Sequence, residues 1–281
     1  MGNKLLKIVL TVFLLIGAGI FLYPRFSGYI EHIRQARVIE NYQNSSDAIT
    51  EQMYEAMRAQ AEEYNKKLAE QPDFDHAVAL ARGQYSKEYR ALLDIDGNGV
   101  MGSISIPKIG VELPLYHGTQ ERDLVRGVGH YEGTSLPVGG ESTHTVLSGH
   151  RGLPSADLFT RLDEVEKGDL FVINTLGKEL TYRVDQIRTV LPDETDDLAI
   201  VPGKDYATLV TCTPYGINSH RLLIRGERTK TITKEERKKL EETKKEEDRT
   251  LERLLESGAL VMAILLATAL IIWRVRRRSA E

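Results

Sequence analysis

From residue 100 onward the sequence breaks into short runs rich in β-branched residues, and this texture constrains the fold more than any other feature. The runs span 100–106, 111–116, 143–148, 169–176, 179–191, 207–213 and 221–228. Turn residues separate them: Pro107, Gly110, Gly139-Gly140, Gly168, Gly177, Pro192 and Pro202-Gly203. A parallel α/β sheet needs a helix-length crossover between successive strands, and these spacers are too short and too rich in Gly and Pro to supply one each time. Seven such runs predict a closed barrel or a sandwich. Residues 158–162 are expected to form one helical turn inside it.

Ahead of the strands, residues 30–71 have helical spacing. Ile49, Met53, Met57, Tyr64 and Leu68 fall mostly on one stripe, with Glu and Lys opposite, so the stripe is expected to be a packing face. Ser45, Ser46 and Asp47 are N-cap candidates, and Pro72 ends the pattern. A short helix is expected over 87–92.

The two ends of the chain bear on where the protein resides. Residues 8–23 form an almost unbroken apolar run preceded by Lys4 and Lys7, and residues 258–273 form a second one followed by Arg274, Arg276, Arg277 and Arg278. Each run covers about 16 residues, short of the roughly 20 that cross a bilayer, and flanking residues extend both. Both basic clusters lie on the terminal sides of their runs. The positive-inside rule therefore places both termini in the cytoplasm and residues 24–255 outside, giving a two-span membrane protein. A cleaved signal peptide is the competing reading of the first run, but no A-x-A-like site precedes Pro24. The segment 230–255, dense in Lys, Arg and Glu, reads as a solvated stalk. With a formal net charge of -4 and no basic patch interleaved with aromatics, the chain lacks the footprint of nucleic-acid binding.

The chemistry centres on Cys212, the only cysteine of the 281 residues, which cannot form an internal disulfide. If runs 207–213 and 221–228 pair as antiparallel neighbours, Cys212 ends one strand where Arg221 begins the other. His150 follows the 143–148 strand, so all three residues can share one rim. A thiolate is a nucleophile, and a nearby cation raises its fraction. A permanently charged guanidinium stabilises the oxyanion formed on an amide carbonyl, and an imidazole carries the proton that the leaving amine needs. Each residue also has a plainer reading: Cys212 as a small buried hydrophobe, His150 as a loop residue bonded to backbone, Arg221 as a surface charge. Asp94-Ile95-Asp96-Gly97-Asn98-Gly99 suggests a calcium loop, but Ser105 stands where the bidentate Glu is required, so a tight turn is expected. His144 and His150 make no zinc set with a single cysteine. No cofactor and no metal are expected.

The sequences T-L-V-T-C-T-P-Y-G and N-S-H-R-L-L-I-R-G, with the upstream E-G-T-S-L-P-V-G-G-E-S-T-H-T-V-L-S-G-H-R-G-L-P, resemble the class C, pilin-polymerising, sortases. The similarity covers residues 99–228, close to half the chain. It implies a mainly β fold, a closed eight-stranded β-barrel with N-terminal helices, here flanked by two transmembrane helices. It further implies a cysteine transpeptidase of Gram-positive cell surfaces that recognises an L-P-x-T-G-like sorting signal. Cys212 would hold the acyl group as a thioester, His150 would act as general acid and base, and Arg221 would stabilise the oxyanion. The acceptor would be a Lys amine of the next pilin subunit. Attachment of proteins to a peptidoglycan precursor amine, or a non-enzymatic membrane-tethered assembly module with an inert Cys212, are the alternatives. Many class C members carry an Asp-Pro-aromatic lid. Here Pro72-Asp73-Phe74-Asp75 has those residue types in another order, and Asp73 and Phe74 are expected to form a variant lid. The division that follows is 1–23 membrane segment, 24–98 helical region, 99–228 catalytic barrel, 229–256 stalk, 257–273 second membrane helix and 274–281 basic tail.

Overall fold

Eight strands follow one another along the described residues, and their ladders close on themselves. The computed structural model describes residues 2–70, 86–153, 156–233 and 235–238. The strands are β1 (Val100–Ile106), β2 (Val111–His117), β3 (Val128–His130), β4 (Thr143–Ser148), β5 (Leu170–Thr175), β6 (Lys178–Val190), β7 (Asp205–Thr213) and β8 (His220–Arg228). They form a closed barrel in the order β1-β2-β3-β4-β7-β8-β6-β5, with β5 pairing β1 to complete the ring. The β2–β3 and β4–β7 pairs are parallel and the others antiparallel. Closure decides between the barrel and the sandwich in favour of the barrel.

The seven expected strands lie within two residues of the observed ones. The eighth, β3, has only three residues, too few to show a period. It fits because Gly129 lacks a side chain, since a Cβ there would lie 2.1 Å from the Gly118 carbonyl oxygen. The helical turn expected at 158–162 is displaced. Residues 158–161 form turns, and a 3₁₀ turn follows at Leu162–Glu164. Leu147, Leu209 and Ile224 join Met101, Ile104 and Ile173 in the main apolar core. Phe171 and Tyr182 stack across the β5–β6 pair with ring centroids 5.4 Å apart.

The helices that precede or interrupt the strands are α1 (Gly2–Ala48), α2 (Glu51–Ala69), α3 (Lys87–Ala91) and α4 (Glu121–Leu124). The helical character expected over 30–71 is found as far as Ala69, but the helix start expected at Ser45, Ser46 or Asp47 lies a few residues later, between α1 and α2. The cap is Thr50, in an extended conformation, whose Oγ1 accepts from the Met53 N–H at 3.2 Å. Ser46 turns its hydroxyl back to donate to the Gln43 carbonyl. The expected packing stripe holds at Ile49, Met57 and Tyr64, which pack against the core with Tyr54 around buried Ala61, while Met53 is 51% exposed. Asn65 is buried in that face and clasps Leu136 on both sides, donating to its carbonyl at 3.1 Å and accepting from its N–H at 2.7 Å. α1 is fastened through the Tyr42 hydroxyl, which donates to the Met101 carbonyl and accepts from the Leu176 N–H, both at 2.9 Å.

The expected turn at 94–99 is present. Asp94 accepts from the Gly99 N–H and Asn98 from the Val100 N–H, with Gly97 and Gly99 at positive φ. The chain divides into two compact units, residues 1–232 and 233–281. In the second, Thr233 and Glu236 cap a short helical turn reciprocally, the Glu236 N–H bonding Thr233 Oγ1 and the Thr233 N–H bonding the Glu236 carboxylate. Among the described residues no helix is long and apolar enough to cross a membrane. The flanking membrane helices are therefore not confirmed, and the run at 258–273 lies outside the described residues.

His130 is enclosed where β3 ends. Its Nε2–H donates to the Ser135 carbonyl at 2.9 Å, and Nδ1 faces the Tyr89 hydroxyl at 2.8 Å. Burial pushes the imidazole down to about 3. The unfolded chain takes up this proton below about pH 6.5 while the folded protein does not, so stability present above pH 6.5 is lost as the pH falls towards 3. Urea unfolding between pH 6 and pH 4 should show a contribution from this residue of about 1.4 kcal/mol per pH unit, with the His130 ring remaining neutral by NMR. Asn65→Ala leaves the Leu136 N–H without a partner, while its carbonyl keeps the bond from the Val138 N–H, and should cost about 1–3 kcal/mol in denaturant unfolding.

Candidate active site

β7 is flanked by β4 on one side and β8 on the other, and each neighbour delivers one functional side chain beside the thiol. Cys212 pairs directly with Arg221 in the antiparallel β7–β8 ladder. Directly opposed residues project from the same face, with Cβ atoms about 5 Å apart. The parallel β4–β7 ladder ends at Ser148↔Val210. Two further bonds carry the contact onward, from the Gly149 N–H to the Val210 carbonyl at 3.1 Å and from Thr211 Oγ1 to the Gly149 carbonyl at 2.7 Å. His150 and Cys212 are each two residues beyond that last pair. All three expected residues thus gather at one rim, and Cys212 is a half-buried free thiol.

The face they occupy follows from alternation. Leu209, Leu222 and Ile224 point into the barrel with the main core. Val210 and Leu223, on the other face, join Val146, Val190 and Leu198 in a separate apolar cluster with Tyr131 packed against it. Cys212 and Arg221 share the parity of Val210 and Leu223, so they belong to this outer face. The chemistry therefore sits outside the packed interior, beside an apolar floor covered by the 3₁₀ turn Asp196–Leu198.

Local contacts hold the three side chains. The His150 carbonyl accepts from the Phe159 N–H at 3.0 Å, and its ring Nε2 lies 3.1 Å from the Glu121 carboxylate on α4. Arg221 donates through Nη1 to the carbonyls of Asn218 and His220 at 3.3 and 3.1 Å, which turns its guanidinium along the β7–β8 loop. A second guanidinium, that of Arg151, ties the histidine loop to the cysteine strand. It donates to Thr213 Oγ1 at 3.2 Å, pairs with Asp163 and lies 5.9 Å from the Tyr215 ring. Neither Glu121 nor Arg151 was expected from the sequence. Arg151 stands next to His150 in H-R-G, the one signal available, whereas Glu121 shows none.

Asp73 and Phe74, the expected lid residues, lie outside the described residues. His144 is a core residue, bonded through Nδ1 to the Ala199 carbonyl and through Nε2 to Thr208 Oγ1. Among the described residues no group of three or more His, Cys, Asp or Glu is placed to hold a metal ion. A thiol, an imidazole and a fixed cation at one rim are the groups that acyl transfer through a thioester requires.

Comparison with known proteins points the same way. The sortase-domain family model matches residues 104–229. Sortase D of Bacillus subtilis is 37% identical over 130 residues, covering 45% of this chain; the match spans 63% of that protein's length. The crystal structure of sortase C1 from Streptococcus agalactiae is 49% identical with a TM-score of 0.64, covering 70% of this chain and 100% of that one. Sortase C of Streptococcus pneumoniae is 42% identical with a TM-score of 0.62, over 70% and 98% of the two chains.

The tightest packing at this rim is at Gly149, where a Cβ would lie 2.6 Å from a ring carbon of Phe159. Gly149→Ala must displace either that ring or the histidine loop. It should cost about 1–3 kcal/mol of stability and slow the reaction of Cys212 with substrate, read by thermal melting and by the rate of acyl-enzyme formation.

Proposed function

The chain belongs to the sortase family, whose members are cysteine transpeptidases, and on that premise we propose that it is a membrane-anchored, pilin-polymerising transpeptidase. The observation that carries this reading is the direct Cys212↔Arg221 pairing, with His150 at the end of the adjoining parallel strand. Support for the pilin substrate comes from the structural neighbours, class C sortases, one of which is described in terms of pilin substrate specificity.

In this reading the Cys212 thiolate attacks the Thr carbonyl of an L-P-x-T-G-like signal, and Arg221 stabilises the resulting oxyanion. The Thr–Gly C–N bond breaks, His150 gives its proton to the departing amine, and a thioester to Cys212 remains. A Lys ε-amine of the next pilin attacks the thioester and yields a proton to His150. Cys212 leaves as thiolate, and an isopeptide bond joins the two subunits. Leu191, Tyr215 and Ile217, apolar and exposed on segments flanking the rim, suit the leucine and proline of such a signal. The apolar runs at 8–23 and 258–273, each with basic residues on its terminal side, support two membrane spans with cytoplasmic termini and an extracellular barrel. The proposal extends to Asp73 and Phe74 as a variant lid, on the residue types of Pro72-Asp73-Phe74-Asp75 alone.

The test mixes the membrane-reconstituted protein with a pilin bearing an L-P-x-T-G-type signal, with Cys212→Ala as control. An acyl adduct on Cys212 by intact mass and a ladder of covalent multimers, both lost in the control, are the expected result. An adduct without a ladder, but with transfer to a peptidoglycan precursor amine, would overturn the pilin acceptor. An unreactive thiol in the folded protein would overturn the enzyme.

A further inference from the structure

The Glu121 carboxylate lies 3.1 Å from His150 Nε2, and nothing in the reaction as described requires a carboxylate there. We infer that Glu121 is a positioning residue that selects which nitrogen of His150 handles the proton. The inference rests on the reading of His150 as proton carrier.

A carboxylate only accepts hydrogen bonds, so the contact requires Nε2 to carry a hydrogen. In the neutral ring the lone pair is then on Nδ1, the nitrogen left to receive a proton on the side away from Glu121. When the ring is doubly protonated, Nδ1–H is the proton available to a departing amine. Glu121 thus holds one nitrogen permanently as a donor and leaves the other to exchange. The general logic is that of a base oriented by a third group.

The support beneath Glu121 makes this geometry reproducible. α4 is closed by the Leu124 N–H bonding the Gln120 carbonyl at 3.0 Å and the Val125 N–H bonding the Glu121 carbonyl at 3.0 Å. The Leu124 side chain packs where Gly129 opens β3, so the short helix is seated on the barrel wall. Glu121 is 74% exposed against 26% for His150. Water and salt screen such a pair, so its value is in direction rather than in binding energy. The other charged groups at this rim are occupied elsewhere: Arg151 with Asp163, Arg122 with Asp123, and Arg221 along its own loop.

The experiment compares the full-length wild type with Glu121→Ala and Glu121→Gln. An amide oxygen can still accept from Nε2–H, so Gln retains the contact with that tautomer while losing the charge. With a peptide carrying the sorting signal, Glu121→Ala should lower kcat for acyl-enzyme formation about tenfold with KM changed less than about twofold. Glu121→Gln should recover most of that loss. A kcat unchanged in Glu121→Ala, or a Gln variant no better than Ala, would overturn the positioning role while leaving the transpeptidase reading intact. A wild type that forms no acyl-enzyme would instead overturn that reading. In that event the alkylation rate of Cys212 by iodoacetamide, which needs the ring beside the thiol but no sorting signal, carries the comparison. It should fall several-fold in Glu121→Ala and return in Glu121→Gln, and equal rates in all three proteins would dispose of the role.

Discussion

Six parallel residue pairs, from Thr143↔Asp205 to Ser148↔Val210, join two segments that lie 62 residues apart in sequence. The rest of the site depends on that ladder. Hairpin neighbours such as β7 and β8 bring Cys212 and Arg221 together locally, through a loop that folds back on itself. No local connection could do the same for His150. Its loop reaches the thiol only because β4 lies in register alongside β7, and because the Gly149 and Thr211 bonds extend that register past the last strand residue.

The two faces of this part of the barrel divide the labour. The inner face is filled with apolar side chains and tolerates little change of volume. The outer face at the same strand positions carries the thiol and the guanidinium beside a second, smaller apolar cluster. A rigid wall with reactive groups at its rim lets loops differ while the reacting atoms keep their places. Arg151 and Glu121 work from the loop side of that boundary. One ties the histidine loop to the cysteine strand, the other bonds the histidine ring.

Much of this was legible in the sequence, and the exceptions have physical causes. Strands of six residues or more stand out as β-branched runs between turn residues, so seven were found within two residues of their ends, while β3, with three residues, forms no such run. Barrel and sandwich share the same local pattern and differ only in whether β1 meets β5, a pairing that no local signal encodes. The cap was expected at Ser45, Ser46 or Asp47, better-ranked polar residues that precede it, and lies at Thr50. The nearness of Cys212 and Arg221 followed from a short hairpin. The roles of Cys212, Arg221 and His150 came from the chemistry of their side chains and from the resemblance. Glu121 is an exposed acid on a four-residue helix, and neither periodicity nor composition separates it from any other surface charge.

In the closed ring the strands bond one another along most of their length, yet the ring is not seamless. β6 pairs with β5 over residues 178–183 and with β8 over residues 182–190, so residues 185–190 have a strand partner on one side only. Strand addition, by which an extended segment gains sequence-blind affinity from a sheet, is confined to that short stretch. Over the rest of its circumference the barrel is deaf to extended peptides in general, and the task of telling one from another passes to the side chains and loops that rise above its edge.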